Sequence, residues 1–139
     1  MSTASSMSSD RPESVRVLVA EDTATGRDVI RNFLDGSNFD LTFVENGRDA
    51  VAAAAANDFE VILMDIRMPE MDGLDAIRAI REQEQSAGKP RTPIVVVSAN
   101  TSSEDVRDCM DAGADGHLAK PVRRMDVVGV VVEMIGKKD

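Results

Sequence analysis

The chain has 139 residues, a formal net charge of −9, an aromatic content of 3% and a single cysteine, Cys109. That length suits one domain with one core. The acidity argues against general binding to nucleic acid or anionic membrane, which needs a basic footprint. A lone cysteine excludes an internal disulfide and fits a reducing compartment.

Residues 1–14 are serine-rich and lack the apolar h-region of a signal peptide, so a disordered leader is expected there. The longest apolar stretches, 50–56 and 127–132, are too short to span a bilayer, and a soluble, cytoplasmic protein is expected. From Val15 onward, strand-like and helix-like segments alternate. Residues 15–20 form the first strand, ending in Glu21-Asp22. Residues 24–34 carry Val29, Ile30, Phe33 and Leu34 at helical spacing. Residues 39–44 alternate as an outer strand does, and 47–57 are rich in alanine, the best helix former. The apolar run 61–64 closes in Asp65, as a strand buried on both faces would. A helix follows from 73 to about 84, with Asp72 as its N-cap and Leu74, Ile77 and Ile80 on one face. A surface loop, 86–91, leads to a fourth strand at 94–97. Thr101 and Glu104 have capping-box spacing for a helix to about 112, with Gly113 as its stop. Residues 116–119 make a short fifth strand.

The closing segment, 123–135, is rich in valine and reads as strand by propensity. The alternation of the chain makes it a helix instead, because five βα units complete a doubly wound parallel sheet. On that helix Val127, Val130, Val131 and Met134 form one stripe for the core. Val128, Val132 and Ile135 form a second, about 100° away.

Parallel strands deliver their C-terminal ends to one rim, where open α/β folds place their sites. The residues delivered are Glu21, Asp22, Asp65, Ser98 and Lys120. Crowded carboxylates repel and need protons or a cation. A hard divalent ion with oxygen ligands answers that need, and Mg²⁺ is typical. Cys109 and His117 lie apart and make no zinc site. A metal, a lysine, a hydroxyl and a strand-end carboxylate are the parts for phosphoryl transfer, with Asp65 as nucleophile.

Over residues 15–136 the chain resembles the response-regulator receiver domains of two-component signalling, in the style of those in hybrid kinases. The resemblance rests on Val19-Ala20-Glu21-Asp22, Leu63-Met64-Asp65-Ile66-Arg67-Met68-Pro69-Glu70-Met71-Asp72-Gly73, Val97-Ser98-Ala99 and the run from Ala112 to Lys120-Pro121. It implies a flavodoxin-like (βα)5 fold with strand order 2-1-3-4-5. It also implies a signalling switch, not an enzyme, in which Asp65 takes a phosphoryl group from a phosphohistidine. Asp22, Asp65 and the Arg67 backbone carbonyl would bind Mg²⁺, or Mn²⁺ as a substitute, with Glu21 acting through water. Ser98 and Lys120 would meet the phosphoryl oxygens, His117 would take the place of the switch aromatic, and Lys120-Pro121 would be a cis peptide.

The resemblance further implies that a histidine kinase or histidine phosphotransfer protein docks near the first helix. A dimer or effector would use the face of the fourth helix, fifth strand and fifth helix. The short tail, 137–139, carries the expectation that output passes through another protein. Three positions depart from the common pattern: Glu21 replaces an aspartate, His117 an aromatic, and Arg67 brings a long cation beside Asp65. The alternatives are a haloacid-dehalogenase-like phosphatase, which would need an acid where Arg67 stands, and a degenerate receiver that is never phosphorylated.

Overall fold

Five aliphatic segments pair in parallel to make the sheet, and the helices between them cover both of its faces. A computed structural model describes residues 15–34, 38–68, 71–99 and 102–137. The expected leader, Pro69-Glu70 of the motif, Thr101 of the expected cap and 138–139 lie outside them. The elements run β1 (Val15–Ala20), α1 (Ala24–Leu34), β2 (Phe39–Val44), α2 (Gly47–Ala56), β3 (Val61–Asp65), α3 (Gly73–Ala87), β4 (Ile94–Ser98), α4 (Ser103–Ala112), β5 (Gly116–Ala119) and α5 (Arg124–Lys137). The sheet order is β2-β1-β3-β4-β5, which is the expected 2-1-3-4-5.

Register places the site. Ala20 pairs with both Val44 and Met64, Asp65 with Val97, and Ser98 with Ala119. The ends of β1, β3, β4 and β5 are therefore level, and the residues at or just past them share one rim. β3 and β4 are buried along their whole length, as central strands covered on both faces must be. The edge strands β2 and β5 are mostly half-buried.

Two hydrophobic clusters sandwich the sheet. One packs Leu18, Ile62, Met64 and Val96 against Ala50 of α2, Ile77 and Ile80 of α3, and Cys109 of α4. The other packs Val17, Val19, Leu63 and Val95 against Ile30 and Leu34 of α1, and Val127, Val131 and Met134 of α5. Each fully buried aliphatic side chain contributes about 1.5–3 kcal/mol. That burial overrides the strand propensity of the valines in α5.

Several boundaries differ from the sequence reading. α3 continues to Ala87, three residues past the expected end, and takes in the start of the expected surface loop; Gly88 stops it in the left-handed conformation at φ 66°. Asp72 caps α3 as expected, accepting from the Asp75 amide. α4 is capped by Ser102, whose hydroxyl accepts from the Asp105 amide, so the cap lies one residue after the expected Thr101. β4 extends to Ser98, and α5 runs to Lys137. On α5 the second stripe is not a continuous exposed row. Val128 and Ile135 are half-buried against the cluster shared with α1, Val130 is likewise half-buried, and only Val132, at 58%, is well exposed.

Candidate functional site

Glu21 and Asp22 leave the end of β1, Asp65 closes β3, and Lys120 follows β5. One carboxylate oxygen from each of the three acids lies within 4.8 Å of the others. Glu21 and Asp65 are only 6% and 7% exposed, so two like charges are held in a poorly solvated place. Lys120 spans them, its Nζ donating to Asp65 Oδ2 at 3.2 Å and Glu21 Oε1 at 3.3 Å. Asp65 Oδ1 accepts from the Arg67 amide at 3.3 Å.

The loop after β3 folds back tightly. The Gly73 amide donates to the Ile66 carbonyl at 2.8 Å, and a Cβ at Gly73 would strike the Asp65 carbonyl and the Ile66 Cα. Glycine at 73 is what lets α3 start directly beside the site.

The charges shape one another. Burial pushes the Asp65 carboxyl up; Lys120 opposes that, Glu21 adds to it, and the net shift is upward. Burial also disfavours the Glu21 carboxylate, but the Thr23 amide and hydroxyl together with Lys120 outweigh it and hold Glu21 below its usual range. For Lys120 burial favours the neutral amine, yet Asp65 and Glu21 prevail and raise it. By formal charge the site is two buried carboxylates on one ammonium, with Asp22 beside them and half-exposed. It holds more negative than positive charge.

A cleft of about 520 Å³ opens beside these groups, lined among others by Asp22, Arg67, Met68, Ser98 and Asp105. Ser98 is buried at the end of β4, and its carbonyl accepts from the Lys120 amide at 2.9 Å. The Lys120–Pro121 peptide is cis. His117 stands opposite Val96 on β5 and is half-buried. Its Nε2 is already enclosed and has no hydrogen-bond partner among the described residues. Cys109 lines the cleft from α4, buried, with burial and the nearby Asp105 and Asp108 pushing its thiol up.

The sequence reading passed over Thr23. Its amide and hydroxyl donate to Glu21 Oε2 at 3.0 and 2.9 Å, and its hydroxyl accepts from the Gly26 amide at 3.0 Å. The available signal was a threonine just before a helix, the ordinary place of an N-cap. Its second role toward Glu21 depends on a turn that spacing alone does not specify.

Comparison with known proteins agrees with this geometry. The model of the response regulator receiver domain family matches residues 17–132. The sensory/regulatory protein RpfC of Xanthomonas campestris pv. campestris (strain 8004) is 33% identical over 124 residues, covering 89% of this chain and 17% of that protein. Hybrid signal transduction histidine kinase L of Dictyostelium discoideum is 32% identical over 119 residues, covering 84% of this chain and 7% of that protein. The chain thus spans a small part of these curated relatives.

Among solved structures, one is the receiver domain of sensor histidine kinase PA1611 from Pseudomonas aeruginosa PAO1, with a magnesium ion coordinated in its active site cleft. It superposes with a TM-score of 0.80 at 34% identity, covering 88% of this chain and 98% of that one. The chemotaxis response regulator CheY4 of Vibrio cholerae gives 0.79 at 28% identity, covering 87% and 98%. Among the described residues, no helix is long and apolar enough to cross a membrane.

Proposed function

The chain belongs to the response-regulator receiver domains of two-component signalling, and we propose that Asp65 is its phosphoacceptor. The observation that carries this is the joining of Asp65 to Lys120 and Glu21 at the rim, beside Asp22 and the cleft. An Asp65 carboxylate oxygen forms the new O–P bond as the P–N bond of a phosphohistidine breaks. The electron pair goes to the departing imidazole, which takes up a proton. The Arg67 amide and Lys120 hold the two Asp65 oxygens in fixed directions, so little orientation is lost when the donor arrives.

Glu21, Asp22 and Asp65 fit Mg²⁺: their donors are all hard oxygens, close together, and they leave a negative excess that a divalent cation offsets. The Arg67 carbonyl joins Asp22 and Asp65 as a direct ligand in this reading, with Glu21 acting through water, and Mn²⁺ suits the same donors. When bound, the ion supplies positive charge against the transferring phosphoryl oxygens. Lys120 contributes a second cation and Ser98 a hydroxyl to those oxygens. Arg67, standing where a phosphatase of the haloacid-dehalogenase type needs an acid, favours a switch over a turnover enzyme.

A histidine kinase or histidine phosphotransfer protein would dock beside α1. A groove of about 660 Å³ there, lined by Val29, Ile30, Phe33, Pro121 and Val122, leads to Glu21 and Lys120 and supports that placement. Movement of Ser98 toward the phosphoryl group would draw the following loop inward and let His117 reorient. Imidazole resonances of His117 that stay fixed on adding beryllofluoride and Mg²⁺ would rule that switch out. The domain works in the cytoplasm in this reading, and the face of α4, β5 and α5 is the surface for a dimer or effector.

The test of the central claim is incubation with acetyl phosphate and Mg²⁺, read by intact mass. Wild type gains one phosphoryl group, which hydroxylamine removes as it does any acyl phosphate. Asp65→Asn gains none. Undiminished labelling of that variant would assign the phosphoryl group elsewhere.

A further inference from the structure

Glu21 has one more methylene than aspartate, and the structure takes up that length in a particular way. Its Oε2 accepts from both the amide and the hydroxyl of Thr23, and its Oε1 accepts from Lys120. The Thr23 hydroxyl is itself oriented by the Gly26 amide. The carboxyl group lies directly over Gly26. A Cβ there would overlap the Glu21 carboxyl carbon and come within 2.8 Å of its Cγ and Oε1. Gly26 is the third residue of α1, in its first turn, with no left-handed backbone to justify glycine. Glycine is a weaker helix former than alanine. What glycine supplies at 26 is room for the Glu21 side chain.

We propose that Thr23 and Gly26 form a seat that positions the Glu21 carboxylate. The seat anchors Oε2 on the turn into α1 and leaves Oε1 turned to Lys120 and the phosphorylation site. Neither residue touches the phosphoryl group; both act through Glu21. The inference rests on reading the rim as a Mg²⁺-dependent phosphorylation site, and it explains how an acid of glutamate's length serves there. A longer arm left free would sample several rotamers and lose entropy on meeting the ion. The seat fixes the arm beforehand.

Metal-free and metal-bound measurements on the full chain test this separately. Without metal, Gly26→Ala should move the Thr23 amide proton upfield, toward its position in Glu21→Ala, because the added methyl displaces the accepting carboxylate. Gly26→Ala should also raise the thermal midpoint more in a Glu21→Asp background than in wild type, since the shorter acid avoids the methyl and the gain in helix propensity is then realised. An unmoved Thr23 amide, or equal rises in the two backgrounds, overturns the seat.

With MgCl2, calorimetric titration should show affinity weakened roughly three- to tenfold in Gly26→Ala and Thr23→Val, the scale of the net contribution of one ordinary hydrogen bond. Thr23→Ser should restore it. Wild-type affinity in both variants also overturns the proposal. A wild-type protein that binds no Mg²⁺ refutes the phosphorylation-site reading instead, and the metal-free arm still decides the seat.

Discussion

Asp65 is held in a place that disfavours its own charge, and that has a measurable cost. Its carboxyl titrates above its usual value because of burial, partly offset by Lys120 and reinforced by Glu21. Between the unfolded and folded values, the folded chain keeps a proton that the unfolded chain has released. Stability therefore falls as pH rises through that window, and the ionised group leaves a penalty at every higher pH. Asp65→Asn removes the penalty. It should raise the metal-free thermal midpoint at pH 7, by a few degrees for each kcal/mol relieved in a domain of this size. The difference from wild type should shrink as pH falls below the window. A variant no more stable than wild type at neutral pH would show that Lys120 already compensates Asp65 in full. At this scale the sequence was highly legible: Glu21, Asp22, Asp65 and Lys120 were all read from strand ends and motif. Thr23 and Gly26 were not, because their roles depend on where the Glu21 side chain folds, which no spacing rule gives.

The elements were legible wherever hydrophobic periodicity and caps agreed, as in β1, α1, β3 and β4. They were least legible at the end of α3. There Glu84 is buried, contrary to the usual place of an acid, because Arg81 donates to it at 2.9 Å. Arg81 also donates to Asp115 Oδ2 at 2.7 Å and to the Gly113 and Thr92 carbonyls. Asp115 in turn accepts from the Ile94 amide at 2.9 Å. One guanidinium thus ties α3 to the start of β4 and the turn before β5. Its partner Asp115 is 34 residues away, beyond the reach of local pattern. Arg81→Ala leaves Glu84 without its cation and Asp115 with Arg91 alone, and should cost about 3 kcal/mol, the scale for breaking a buried pair. Denaturant midpoints would measure it, and labelling by acetyl phosphate should persist, since the network lies at the opposite end of the sheet. A loss below half a kcal/mol would mean that Arg91, which also pairs with Asp115 at 2.9 Å, substitutes for it.

The fate of α5 shows tertiary packing deciding between two local readings. Val127 and Val131 are fully buried, so a helix that propensity resists is stabilised by its inner face. The second stripe divides: Val128 packs on the cluster shared with α1, and Val132 does not. Val128→Glu should therefore lower the thermal midpoint by several degrees, while Val132→Glu should leave it nearly unchanged. Size-exclusion chromatography of phosphorylated Val132→Glu then tests that surface for self-association without the confusion of unfolding. Equal destabilisation by both variants would place Val132 in the core.

At the scale of the whole molecule, the sheet order decides how the charges meet. β1 and β3 are neighbours, and Lys120 arrives from the far edge strand β5. The alternation of elements indicated a doubly wound sheet, but the order 2-1-3-4-5 came only with the family resemblance. Nothing local to β1 says which strand lies beside it. Because Glu21 and Asp22 leave β1 while Asp65 closes β3, a cation held among them clasps two non-consecutive strands that are separated in the chain by α1, β2 and α2. Such an ion binds the folded chain and not the unfolded one, which has no preformed cluster. At a free Mg²⁺ concentration ten times its dissociation constant it should add about 1.4 kcal/mol to stability. The thermal midpoint should rise by a few degrees with MgCl2, return on adding EDTA, and not respond to NaCl of equal ionic strength. Asp22→Ala removes a half-exposed acid from the cluster, so it should lose the Mg²⁺ response while remaining folded. An equal rise with NaCl would show that general screening of the net charge of −9, rather than occupancy of the rim, stabilises the domain.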